Sequence, residues 1–322
     1  MGPPLHVVAT WPADGAGLDC DASDPDCGVP LDSPIELRFD RYLLPATAVR
    51  QSILVSTGQA SCRLARPPAP AVCFEPEYDV LERVVSYRLV PGAELLPGVL
   101  YTVELVVPGD EQPYGFRAFD GASLLEASAP LRFSFRTATV RASPVAPEPI
   151  PTCADVVDGI FGAPSGAACA TCHSGDAPPL GLRLDSKSGL IETALGRVAR
   201  ETDLAPHAGR ALDAPPRFGL AMPIIAPGRP DTSYLLYKLL VNDDNYGAGP
   251  ERCATAHRVP LPPGECLPPS ARERERLREW FVFGQPMPLA APPAAPARHL
   301  ELHELRAIQR YIAGGARTDG CR

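Results

Sequence analysis

The chain has 322 residues, with 30 basic against 38 acidic side chains for a net charge of −8, and 45% of its residues are hydrophobic. That acidic balance excludes nucleic acid as the expected partner, and no run of eighteen apolar residues exists to span a bilayer. Forty prolines and 27 glycines, about a fifth of all positions, predict short elements joined by Pro-rich loops.

The start, MGPPLHVVATWP, has no basic region followed by an apolar stretch, so any export signal is expected to have been removed. Residues 5–137 read as β. The predicted strands are LHVVATW, PIELRFD, SILVS, VVSYRLV, VLYTVELVV and LRFSFRT, separated by Pro, Gly and Asp. Short alternating runs of this kind predict an antiparallel sandwich over 1–140. In PIELRFD, Ile35, Leu37 and Phe39 face one way and Glu36, Arg38 and Asp40 the other. The acidic run DCDASDPDC at 19–27 lacks the Gly and closing Glu of an EF-hand loop, and reads as a disulfide-closed surface loop. WPADGAG, SPIELRFDRYLLPAT, LLPGVLYTVEL and FSFRT occur in that order. On these motifs residues 5–138 resemble bacterial Ig-like modules of the S-layer-associated type. The resemblance implies a spacer or docking module.

Residues 141–152 form a Pro-rich linker. From 153 to 322 the pattern turns mainly helical. CADVVDGIF predicts a short helix. KSGLIETALGRVARE carries a stripe of Leu190, Ile191, Leu195 and Val198, interrupted by Gly196. DTSYLLYKLLV predicts a helix capped by Asp231 or Thr232. SARERERLREWFVFG has a capping box in Ser270 and Glu273, a face of Leu277, Trp280 and Phe281, and a stop at Gly284. LELHELRAIQRYIAGG places Leu302, Leu305, Ile308 and Ile312 on one face and ends at Gly314–Gly315.

Ten cysteines are present. Setting aside Cys169 and Cys172, proximity in sequence pairs Cys20 with Cys27, Cys62 with Cys73, and Cys253 with Cys266. Cys153 and Cys321 remain as the fourth pair. Such a framework implies an oxidising compartment, so the protein is expected to be exported, to the periplasm or the cell surface.

CATCHSGD at 169–176 contains C-x-x-C-H, the attachment box of c-type haem. Two thiols separated by two intervening residues add to the two vinyl groups of one porphyrin, and the adjacent His173 ligates the iron. A zinc site needs further ligands. HLELH at 299–303 offers His299 and His303, which read more simply as helix-end and surface histidines. A redox disulfide would want a thioredoxin-like setting that is not visible. Pro178, Pro179 and Leu180 follow the box and predict a carbonyl for the His173 Nδ1–H.

CATCHSGDAPPLGLRLD, APGRPDTSYLLYKL, GQPMPL and ELRAIQRYIAGGA, in that order, resemble a family of monohaem c-type cytochrome domains in large bacterial exported proteins. The match runs over about 153–317, with an insert at 242–270 as its departure. The resemblance implies one haem c on Cys169 and Cys172, His173 as proximal ligand, Met287 as distal ligand, and packing by Pro179 and Leu180. For the sixth position Met222, a histidine among His207, His257, His299 and His303, and water stay open beside Met287. Leu182, Trp280, Phe283 and Tyr311 are further candidate packing groups. The expected function is electron transfer to a redox partner protein. A peroxidase-like enzyme with an open iron, and a surface structural or adhesion protein with an accessory haem, are the alternatives.

Overall fold

The structure is a computed structural model that describes residues 2–21, 24–58, 62–64, 73–109, 114–125, 130–142, 148–162, 167–199, 202, 221–280, 282, 284–289 and 299–321. It divides into two units. The first comprises Met1–Pro147 and Thr255–Glu265; the second comprises Glu148–Ala254 and Cys266–Arg322. The boundary thus falls at 147/148, inside the linker expected over 141–152. Residues 255–265, expected in the second domain, belong to the first.

The first unit is β-rich. A four-stranded antiparallel sheet has the order β1 (Val7–Trp11), β2 (Ile35–Phe39), β6 (Val84–Leu89), β5 (Phe74–Asp79). A three-stranded sheet has the order β3 (Ile53–Ser56), β8 (Leu100–Leu105), β9 (Arg132–Arg136), also antiparallel. β4 (Arg63–Leu64) and β7 (Ala93–Glu94) form a short ribbon. The sequence reading missed β5, because FEPEYD carries an internal proline and three acidic side chains. Ile35, Leu37, Phe39, Tyr87, Tyr101, Val103, Phe133 and Phe135 are buried, as the two-residue period requires. Gly28, at φ +120°, lies where a Cβ would stand 2.7 Å from the Ala138 backbone nitrogen, so the chain passes closely only with glycine there.

The alternation expected in β2 meets an exception. Glu36 is 4% exposed and Arg38 1%, so both faces of the strand are covered. The cover is the loop 255–265. Glu36 accepts from the Val259 N–H at 2.9 Å. Arg38 donates to the carbonyls of Val259 and Pro260, at 3.1 and 3.0 Å, and to Thr255 Oγ1 at 2.7 Å. The polar face of β2 is therefore a docking strip for this loop.

His257 sits at the centre of that strip. Its Nδ1 is 3.2 Å from Glu36 Oε1 and its Nε2 is 2.9 Å from Asp79 Oδ2. Both ring nitrogens face carboxylates, so the imidazolium satisfies both as a donor. Burial alone would lower its pKa. The hydrogen bonds to Asp79 and Glu36, with the charges of Asp79 and Glu82, outweigh burial and raise it to about 10.

The second unit carries several short helices joined by irregular segments. A π-type turn spans Ala154–Ile160. It is followed by α1 (Lys187–Thr193), α2 (Tyr234–Leu240), α3 (Ala271–Trp280) and α4 (Leu302–Ala313). α1 is shorter than its apolar stripe. Gly196, at φ +65°, turns the chain, and Leu195 and Val198 bridge to Ile225 and Pro223 instead. The N-cap position of α2 is Ser233 rather than Asp231 or Thr232, because those two residues close a preceding turn. At α3, Ser270 Oγ accepts from the Glu273 N–H at 3.2 Å, one half of the expected box. Phe281 lies outside the described residues. α4 has a full capping box of Glu301 and Glu304 and buries Leu302, Leu305, Ile308, Tyr311 and Ile312.

Disulfides join Cys20 to Cys27, Cys62 to Cys73, Cys153 to Cys321 and Cys253 to Cys266. Cys169 and Cys172 are outside these four disulfides. No described helix is long and apolar enough to cross a membrane.

Candidate functional site

A cavity of about 410 Å³ opens in the second unit, and its wall includes Cys169, Cys172, His173, Pro179, Leu180 and Met287. Cys169–Thr171 form a single tight helical turn, and the His173 N–H donates to the Cys169 carbonyl at 2.9 Å. That turn brings the two thiols and the imidazole to one wall. Ala168, just ahead of it, holds φ +45°, and Leu180 holds φ +54°. Both are left-handed non-glycine residues that line the cavity, and strain of this kind gathers at functional sites.

His173 is oriented by a carbonyl, but not by one from the prolines. Its Nδ1 lies 3.3 Å from the Leu182 oxygen. The turn Pro179–Gly181 reverses the chain, so the backbone returns to the box at Leu182, three residues beyond Pro179. The Leu184 N–H then donates to the His173 carbonyl at 2.8 Å and closes the hairpin. With Nδ1 engaged, Nε2 is the free nitrogen. Burial lowers the His173 pKa; the Leu182 carbonyl opposes that and the charge of Lys238 adds to it, with a net shift downward. The neutral ring is the form that ligates metal.

The rest of the wall is mostly apolar: Phe161, Leu182, Leu184, Ile224, Leu235 and Leu239 among others. Leu180, Val198 and Leu289 line it while remaining solvent-exposed. Two cations join them, the buried Lys238 on α2 and the exposed Arg197. Volume and lining fall within the range of cofactor sites, about 300–1,000 Å³.

The other candidates for a sixth ligand lie elsewhere. Met222 is buried but is not part of the wall. His257 belongs to the first unit, held by Glu36 and Asp79. His299 pairs with Glu301 at 2.9 Å and His303 is exposed on α4. His207 and Phe283 lie outside the described residues. Trp280 and Tyr311 do not line the cavity; the Tyr311 hydroxyl donates to the Arg317 carbonyl at 3.0 Å. Among the described residues, the convergence of three metal-ligand side chains is at Asp79, Glu82 and His257, not at the C-x-x-C-H box. Among the described residues, no zinc shell is assembled around Cys169 and Cys172.

Sequence reasoning missed the Leu182 carbonyl as the acceptor for the His173 Nδ1–H, since a backbone group leaves no residue-type signature. It also missed Asn242 and Asn245, whose amides reach the Met287 segment. NDDNYG at 242–247 reads only as a turn.

A scan against protein-family models and a search of curated proteins return no match. Among solved structures, the N-terminal part of the bacterial S-layer protein SbsC aligns at 13% identity and a TM-score of 0.23, over 42% of this chain and 24% of that one. A longer structure of the S-layer protein, rSbsC(31-844), aligns at 12% identity and a TM-score of 0.25, over 47% and 17%. The chain thus spans less than a quarter of either S-layer structure.

Proposed function

We propose that the second unit is a monohaem c-type cytochrome module and that the chain is an exported electron-transfer protein. One observation carries this reading: one apolar cavity is walled by the two cysteines outside the disulfides, the adjacent histidine and Met287. The residues fit the group. Cys169 and Cys172 would hold haem by thioether bonds, and His173 through Nε2 and Met287 through its thioether would be the ligands of its iron. Bound there, haem supplies an iron that cycles between the ferric and ferrous states, with a potential raised by thioether ligation. The Leu182 carbonyl fixes the His173 ring, the apolar wall excludes water, and Lys238 and Arg197 place positive charge for the propionates.

The first unit is read as an Ig-like sandwich acting as spacer or docking module, and the four disulfides favour a periplasmic or cell-surface setting. The partner is a redox protein. The test is covalent attachment. Protein produced in a periplasm with haem-attachment machinery retains peroxidase-stainable haem on a denaturing gel, and Cys169→Ala with Cys172→Ala abolishes it. A wild-type band without haem overturns the reading.

A further inference from the structure

We propose that Asn242 and Asn245 are positioning residues that hold Met287 in place as the thioether ligand; this rests on the function proposed above. The two asparagines follow α2 and are nearly inaccessible, at 6% and 1% exposure. The Asn242 amide donates to the Pro288 carbonyl at 3.0 Å, and the Asn245 amide to the Met287 carbonyl at 3.1 Å. Consecutive carbonyls of the ligand segment are therefore held by two side-chain amides of one loop.

The loop is itself fixed. Asn242 Oδ1 accepts from the Asp244 N–H at 3.1 Å. Asn245 donates to the Leu239 carbonyl at 2.8 Å, at the end of α2, and accepts from the Leu300 N–H at 2.8 Å, ahead of α4. Tyr246, at φ +82°, returns a bond from its N–H to the Leu300 carbonyl at 2.8 Å. Asn245 thus joins three segments: the end of α2, the Met287 segment and the approach to α4. Asp243 adds an ion pair with Arg274 of α3 at 2.6 Å.

Residues 284–289 belong to no helix or strand. Among the described residues, the hydrogen bonds of their backbone to the rest of the unit are those two asparagine contacts. A methionine side chain has three rotatable bonds and no directional hydrogen bond of its own, so its placement depends on where its backbone is anchored. Buried carbonyls also need donors, and the asparagines meet that need at the ligand position itself. Neither asparagine lines the cavity, so each acts through Met287.

The experiment titrates imidazole into the ferric holoprotein, where it must displace Met287. Asn242→Asp and Asn245→Asp keep the size and the accepting oxygen and lose the donating amide. Each is expected to weaken the red-end charge-transfer band of thioether-ligated ferric haem and to raise imidazole affinity by about 10–100-fold, the usual scale for an outer-shell partner. Covalent haem content and far-ultraviolet circular dichroism stay as in the wild type. Should an aspartate variant not accumulate folded, Asn242→Ser and Asn245→Ser are read the same way. In a Met287→Ala background the same substitutions are expected to leave imidazole affinity unchanged. Wild-type affinity in the single variants, or an equal shift in the Met287→Ala background, overturns the positioning role. A wild-type holoprotein with haem but no thioether band instead overturns the assignment of Met287 itself.

Discussion

At the scale of single residues, His257 shows how charge can be read only with its neighbours. In the sequence it is one histidine among six, a conceivable ligand. In the first unit it faces Glu36 and Asp79, with Glu82, Arg38 and Arg83 nearby and Ser86 Oγ 3.4 Å from its Nδ1. Its folded pKa, about 10, lies above the ordinary 6.5. The sign follows from proton linkage: the folded state binds the extra proton, so the stabilisation is complete below pH 6.5 and is lost as pH rises towards 10. Glu36 runs the opposite way. Burial would raise its pKa, but hydrogen bonding and charge from His257 lower it, so its contribution is lost only as pH falls through that lowered value. His257→Ala leaves the buried Glu36 and the partly buried Asp79 without their cation and is expected to destabilise by roughly 3 kcal/mol at neutral pH. Urea melts at pH 6.5 and pH 10 check this: the gap between wild type and variant narrows at the higher pH.

At the scale of elements, the sequence was most legible where one physical signal sufficed. The two-residue period of β2 and β9 and the helical stripe of α4 each gave the element and its buried face. It was least legible where a second segment changed the environment. The polar face of β2 looked solvated because nothing local announces that residues 255–265 will cover it. α1 ended early because Gly196 let the chain bridge to Ile225 and Pro223. Ser270 is a case where the local rule worked, since its hydroxyl accepts from the Glu273 N–H at the start of α3. Ser270→Ala is therefore expected to cost about 1 kcal/mol, the value of a single cap. Denaturant unfolding measures it, and an unchanged midpoint would remove the cap from the account.

At the scale of the whole molecule, most of the site was legible but its support was not. Five positions, Cys169, Cys172, His173, Pro179 and Leu180, come from one short stretch, so a contiguous motif announced them. Met287 lies more than a hundred residues on, and the fold brings it to the same cavity wall. The insert at 242–270 read as a departure from the family pattern. In the structure its first residues hold the Met287 segment, and residues 255–265 cover β2 in the first unit. Side chains that act through backbone carbonyls carry no spacing signature, which is why Asn242, Asn245 and the Leu182 carbonyl were invisible in the sequence. The central claim is that Cys169, Cys172, His173 and Met287 form one haem site. The ferric absorption spectrum of the matured protein tests it most directly, recorded for the wild type beside Met287→Ala. The account predicts a low-spin spectrum with the thioether charge-transfer band in the wild type and loss of that band in the variant. A band that survives in Met287→Ala, or a high-spin wild type, would contradict it.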